Sequence, residues 1–210
     1  MDNIYTIIIQ ITVLVFGVIV HEVSHGFVAY KLGDPTAKQM GRLTLNPLPH
    51  IDPFMSIILP AILIFSHAGF IIGGAKPVPI NPMYFKHQKR DIMLTGLAGP
   101  VSNLLIAILA VLVLKLTKIM PAMASDGLNM FLYYSIIINV VLAVFNLLPI
   151  PPLDGSKVMA FFLSPSLERA YLRLEPFGMW ILIALLATGL LSRIFNPLYN
   201  LIIRILSLVL

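Results

Sequence analysis

Of the 210 residues, 59% are hydrophobic and only 11% charged, with a formal net charge of +5 and a mean hydropathy of +0.95. A water-soluble domain carries roughly 45–50% apolar and about 25% charged residues, and a chain this short cannot bury the excess, so lipid must be part of its solvent. That excludes a free soluble domain, a disordered chain and, with a cysteine count of 0, a disulfide-stapled secreted module. The positive charge marks cytoplasmic loops rather than a nucleic-acid surface.

The chain opens Met1-Asp2-Asn3, without a basic region or a following small-residue cleavage site, so Ile4 onward is expected to belong to the mature protein. Residues 4–29 are apolar enough to cross a ~30 Å hydrocarbon core. Next comes a polar stretch in which 41–46 alternates polar and apolar residues. Residues 54–73 are apolar but broken by Pro60, Ser66, His67, Gly69 and Gly73. In 75–81, Pro77 and Pro79 disable the same strand edge and leave the amides of Val78 and Ile80 on the other, as in an edge strand or a loop lying over a groove.

Further spans are expected at 93–116, 128–148 and 177–191, where Trp180 would anchor the interface. Residues 195–210 carry Arg204 and form either a short span or an interfacial helix. The expected fold is an all-α polytopic membrane protein. It has about five to six transmembrane helices and a short β-strand or re-entrant segment between the first two core helices. It is one domain over 1–210, with a core at 4–160 and C-terminal helices at 177–210.

Chemistry enters within the first span, at His21-Glu22-Val23-Ser24-His25. Helical positions i and i+4 share a face, so both imidazoles can reach one metal ion, and Glu22 beside them can accept a proton from water. Ionisable groups inside a span are costly and functional by default. Catalytic zinc takes three protein ligands and keeps a position open. His50, His67 and His87 lie in polar or broken segments and read as interfacial or supporting groups. Asp154 follows a helix stopped by Pro149, Pro151 and Pro152. By itself Pro-Pro-Leu-Asp-Gly reads equally as a turn with Asp capping the next helix; beside a metal-binding pair, a ligand is the better reading.

These residues resemble a known family. His21-Glu-x-x-His25, Gly99-Pro100-Val101-Ser102-Asn103 and Asn146-x-x-Pro-x-x-Pro-Leu-Asp154-Gly are similar to motifs of the site-2 proteases, intramembrane zinc metalloproteases. Gly33-Asp34-Pro35-Thr36-Ala37 and Gly41-Arg42-Leu43-Thr44-Leu45-Asn46-Pro47 look like the small forms without PDZ or CBS domains. The resemblance implies one Zn2+ per chain held by His21, His25 and Asp154, with Glu22 as general base. It further implies that Asn103 and Asn146 act near the scissile bond. Both are neutral amides suited to an oxyanion or an extended substrate; each is equally suited to a helix–helix hydrogen bond.

The implied function is hydrolysis of a peptide bond within or next to the transmembrane segment of a single-span membrane protein, as in regulated intramembrane proteolysis. An intact substrate helix hides its carbonyls, so it must unwind, and 41–46 and 75–81 are expected to receive it by β-addition. The rival readings are a membrane di-iron oxygenase and a catalytically silent metal-binding protein. The chain has 5 histidines, few for a histidine-box oxygenase, and only one Glu-x-x-His where a ferritin-like di-iron site needs two. Silent metal binding leaves Glu22 without a purpose.

Metal geometry also predicts topology. His21, His25 and Asp154 meet only if the first span and 128–148 run the same way, so 31–92 must begin and end on one side. Lys115, Lys118 and Arg193 are then left opposite most other Lys and Arg residues, which satisfies the positive-inside rule. The expectation is a multi-pass protein of the cell membrane, N-terminus outside, with its active site in the cytoplasmic half.

Overall fold

The computed structural model describes residues 4–58, 62, 73–120 and 124–208. Long apolar runs become helices because lipid offers the backbone no other hydrogen-bond partner. The first is α1 (Ile4–Lys31), which ends where Gly33 takes φ +113 and the Asp34 N–H caps the Ala29 carbonyl at 2.9 Å. A short α2 (Thr36–Gln39) follows. The second and third long helices are α3 (Gln88–Ile119) and α4 (Asp126–Asn146), the latter capped by Ser125, whose Oγ accepts the Leu128 N–H at 3.2 Å. Shorter helices complete the chain: α5 (Asp154–Phe162), α6 (Pro165–Leu172), α7 (Gly178–Ala187) and α8 (Leu190–Ser207).

The register of α1, α3 and α4 is fixed by contacts along their lengths. Thr6 meets Met130 at 3.7 Å near one end. Midway, a Cβ on Gly17 would lie 2.8 Å from Asn139 Oδ1. At the other end, His21 meets Asp154 just beyond α4. Helices α1 and α4 therefore run in the same direction. The α3 contacts climb the opposite way, from Thr95 at His25 through Asn103 at Gly17 to Thr117 at Asn129. Residues 31 and 88 accordingly lie at the same end of the bundle.

By length and composition, Ile4–Lys31, Gln88–Ile119, Asp126–Asn146 and Pro165–Ala187 can cross a membrane, four stretches rather than five or six among the described residues. The last is broken by a 3-10 turn at Glu175–Phe177. The stretch expected at 177–191 stops early, because Gly189 adopts φ +68 and turns the chain into α8. Pro53–Ile58 is one π-helical turn; apart from Ile62 and Gly73, the remainder of 54–73, His67 included, lies outside the described residues.

No strand occurs among the described residues, so 41–46 lacks its expected strand and 75–81 takes the loop of its two readings. A strand exists only with a partner strand, and these amides find other acceptors. The Lys76 N–H bonds the His50 carbonyl at 2.8 Å, the Val78 N–H bonds Glu22 Oε2 at 2.9 Å and the Asn81 N–H bonds Asp34 Oδ2 at 2.6 Å. Buried Arg42 ties the same strap from the other side, donating to the Lys76 carbonyl at 2.8 Å. On the edge spared by Pro77 and Pro79, the Val78 N–H is the one that bonds α1, at Glu22.

Candidate metal centre

His21 and His25 lie one turn apart on α1, and both are buried. Asp154 reaches them because the chain leaving α4 folds back through its proline turn, with Gly155 packed directly on the Leu147 carbonyl where a side chain would not fit. Asp154 Oδ2 lies 3.1 Å from His21 Nε2 and 3.0 Å from His25 Nε2. The three ligand atoms fall within 4.8 Å of one another.

The opposite ring nitrogens decide what these atoms offer. His25 Nδ1 lies 2.7 Å from the Thr95 carbonyl, which only accepts, so Nδ1 carries the hydrogen. His21 Nδ1 lies 2.6 Å from Asn103 Oδ1. Asn103 is oriented by its own donations to the Gly17 carbonyl at 3.0 Å and Asn139 Oδ1 at 2.9 Å, so its oxygen must face His21 and accept. In the neutral imidazoles both Nε2 atoms then present lone pairs to a carboxylate oxygen. Buried lone pairs at this spacing repel unless a cation or protons lie between them. Two imidazole nitrogens and one carboxylate oxygen form a catalytic-zinc donor set with one position left open, so the residues fit the ion.

Neighbours adjust the set. Lys157 Nζ lies 2.9 Å from Asp154 Oδ1, the oxygen turned away from the imidazoles. Gly99 of α3 comes so close that a Cβ there would lie 2.5 Å from each Nε2.

The structure thus brings His21, His25, Asp154 and Asn103 into one cluster. Glu22 is half-buried beside them, its Oε2 held by the strap. Asn103 is fully buried and its amide hydrogens are given to α1 and α4, so it faces the back of His21. Asn146, half-buried at the end of α4, donates to the Leu142 carbonyl at 2.9 Å. His50 is buried away from the cluster, donating to the Thr44 carbonyl at 2.9 Å, and His87 sits exposed ahead of α3.

Three participants escaped the sequence reading, Asn139, Lys157 and the Thr95 carbonyl, while Gly99 entered only within the motif that ends at Asn103. Asn139 carried a signal, a lone amide in an apolar run, and Lys157 another, its i+3 spacing from Asp154. The Thr95 carbonyl carried none, since backbone atoms leave no mark in a sequence.

The family model described as "Peptidase family M50" matches residues 114–188. The chain is 40% identical over 191 residues to "Putative zinc metalloprotease YwhC" of Bacillus subtilis, covering 89% of this chain and 84% of that protein. It is 35% identical to "Putative zinc metalloprotease Rip2" of Mycolicibacterium smegmatis and 30% to that of Mycobacterium tuberculosis, covering 83% and 85% of this chain and 65% and 67% of those proteins. No solved structure matches. With the first of these relatives aligned over most of both chains, the protein belongs to peptidase family M50, the site-2 protease family of zinc metallopeptidases.

Proposed function

We propose that this chain hydrolyses a peptide bond within or beside the transmembrane segment of a single-span membrane protein, the reaction class of regulated intramembrane proteolysis. The observation that carries the reading is the meeting of His21 and His25 with Asp154 at the end of two helices long enough to cross a membrane. In this reading His21, His25 and Asp154 hold one zinc ion. Bound there, zinc supplies Lewis-acid polarisation of the scissile carbonyl and of the attacking water.

The remaining work belongs to the chain. Glu22 has one carboxylate oxygen occupied by the Val78 N–H; the other is left to take a proton from water and return it to the departing amine. Asn103 and the Thr95 carbonyl fix the tautomer and tilt of the two imidazoles, and Lys157 steadies Asp154. Asn146 has an amide oxygen with no bond among the described residues, suited to the backbone of an unwound substrate. The protein is multi-pass in the cell membrane, N-terminus outside and catalytic cluster in the cytoplasmic half, as the distribution of Lys and Arg favours.

Wild-type and Glu22→Gln proteins, assayed in lipid against a panel of single-span substrates with zinc content measured in both, test this. Cleavage by the wild type alone, with about one zinc in each, is expected. Turnover by Glu22→Gln rejects the mechanism, and zinc retention without cleavage of any substrate favours a silent metal-binding protein.

A further inference from the structure

Helix α8 carries three stripes. Leu191, Phe195, Tyr199, Ile202 and Leu206 pack inward: Leu191 joins Leu148 and Leu153 near the end of α4, and Leu206 joins Ala107 and Leu132 nearer its start. Helix α8 therefore runs antiparallel beside α4, its 18 residues rising about 27 Å at 1.5 Å per residue. A second stripe, with Ile194, Leu198, Leu201 and Ile205, is exposed and apolar, as suits lipid.

The third stripe is exposed and polar: Arg193, Asn196, Asn200, Arg204 and Ser207. Ser207 turns its hydroxyl back to the Arg204 carbonyl at 2.8 Å. The Arg and Asn side chains of the stripe have no hydrogen-bond partner among the described residues. Arg193 and Arg204 lie toward the helix ends and can extend to headgroups, but Asn196 and Asn200 lie mid-helix, at the depth of the α3–α4 core. Pro197 adds an orphan acceptor, because it lacks the N–H that would bond the Arg193 carbonyl.

We propose that the Asn196–Asn200 stripe of α8 is the surface through which two copies of this chain pair in the membrane. Positions 193, 196, 200, 204 and 207 lie on one face of the helix, and an Asn in a helix–helix seam can set register and strand number. An amide both donates and accepts, so two identical stripes related by a two-fold axis satisfy each other with nothing further required. A second copy always presents matching amides at matching depth. A single-span substrate would have to carry polar groups there itself. Arg193 and Arg204 stand about 16 Å apart along the helix, on either side of the two amides, and their long side chains can swing away from the seam.

The absence of native cysteine gives a clean test in lipid vesicles. Oxidation should cross-link N196C and N200C into dimers and leave L198C and L201C, on the lipid stripe, largely monomeric. The double variant N196L/N200L should weaken dimerisation about tenfold while keeping its zinc, which shows the fold intact. Equal cross-linking at all four positions, a monomeric wild type, undiminished dimers in N196L/N200L, or cross-links only to an added single-span substrate would each overturn the proposal. None of these outcomes bears on catalysis by Glu22.

Discussion

Asn103 on α3 accepts the His21 Nδ1–H at 2.6 Å and spends both of its own hydrogens on α1 and α4. One side chain thus ties three helices and fixes one imidazole. Asn103→Leu strips His21 of its partner and leaves the Gly17 carbonyl and Asn139 Oδ1 short of a donor. Zinc affinity should fall about 10–100-fold, read by titration against a competing chelator. Affinity equal to wild type would mean that the ring is oriented by something else.

Gly99 gives a steric test of the same centre. Its substitution by alanine puts a methyl 2.5 Å from both Nε2 atoms, against imidazole rings held at Nδ1 by Asn103 and the Thr95 carbonyl. Gly99→Ala should bind little or no zinc while remaining helical by circular dichroism. Gly127→Ala, with nothing within 4 Å of the added atom, should keep full zinc and be equally or more stable.

Asp154 and Lys157 separate ligand from support. Asp154→Ala should lose most zinc; full occupancy and activity in that variant would remove Asp154 from the ligand set. Lys157→Met keeps the ligands and removes only the contact to Oδ1, so its zinc affinity should fall by a smaller factor. In wild type, zinc at about a thousand times its Kd should stabilise the fold by about 4 kcal/mol, seen as a higher Tm that chelator abolishes.

Topology is open to labelling. Lys38 and Lys86 are exposed at the end of the bundle that holds the metal cluster, and Ser125 is exposed at the other. Single cysteines at Lys38 and Lys86 should react from the cytoplasmic side and one at Ser125 from outside. Reaction of Lys38 and Lys86 from opposite faces would contradict the helix directions.

The grouping of His21, His25 and Asp154 was legible because i, i+4 spacing and a proline-stopped helix are local signals. The direction of α1 against α4 followed from requiring those ligands to meet. What surrounds them was not legible. Asn103 was readable as a polar residue, but its partners depend on α1 lying within reach of α3, which no local pattern encodes. The strap at 75–81 was legible as a strand or a loop and proved a loop, because alternation tells which atoms are available and not what will bond them. The C-terminal expectation failed at Gly189, where a single left-handed residue shortens one helix and starts the next.

His21 and Asp154 are 133 residues apart in sequence, and this sets an order of assembly. When α1 stands alone, its two histidines have neither carboxylate nor orienting amide. The amide arrives with α3 and the carboxylate only after α4 has inserted and the proline turn has folded back. The ion therefore cannot be captured tightly by an early intermediate. It reports that the three helices have found one another, and its binding energy falls on the finished packing alone.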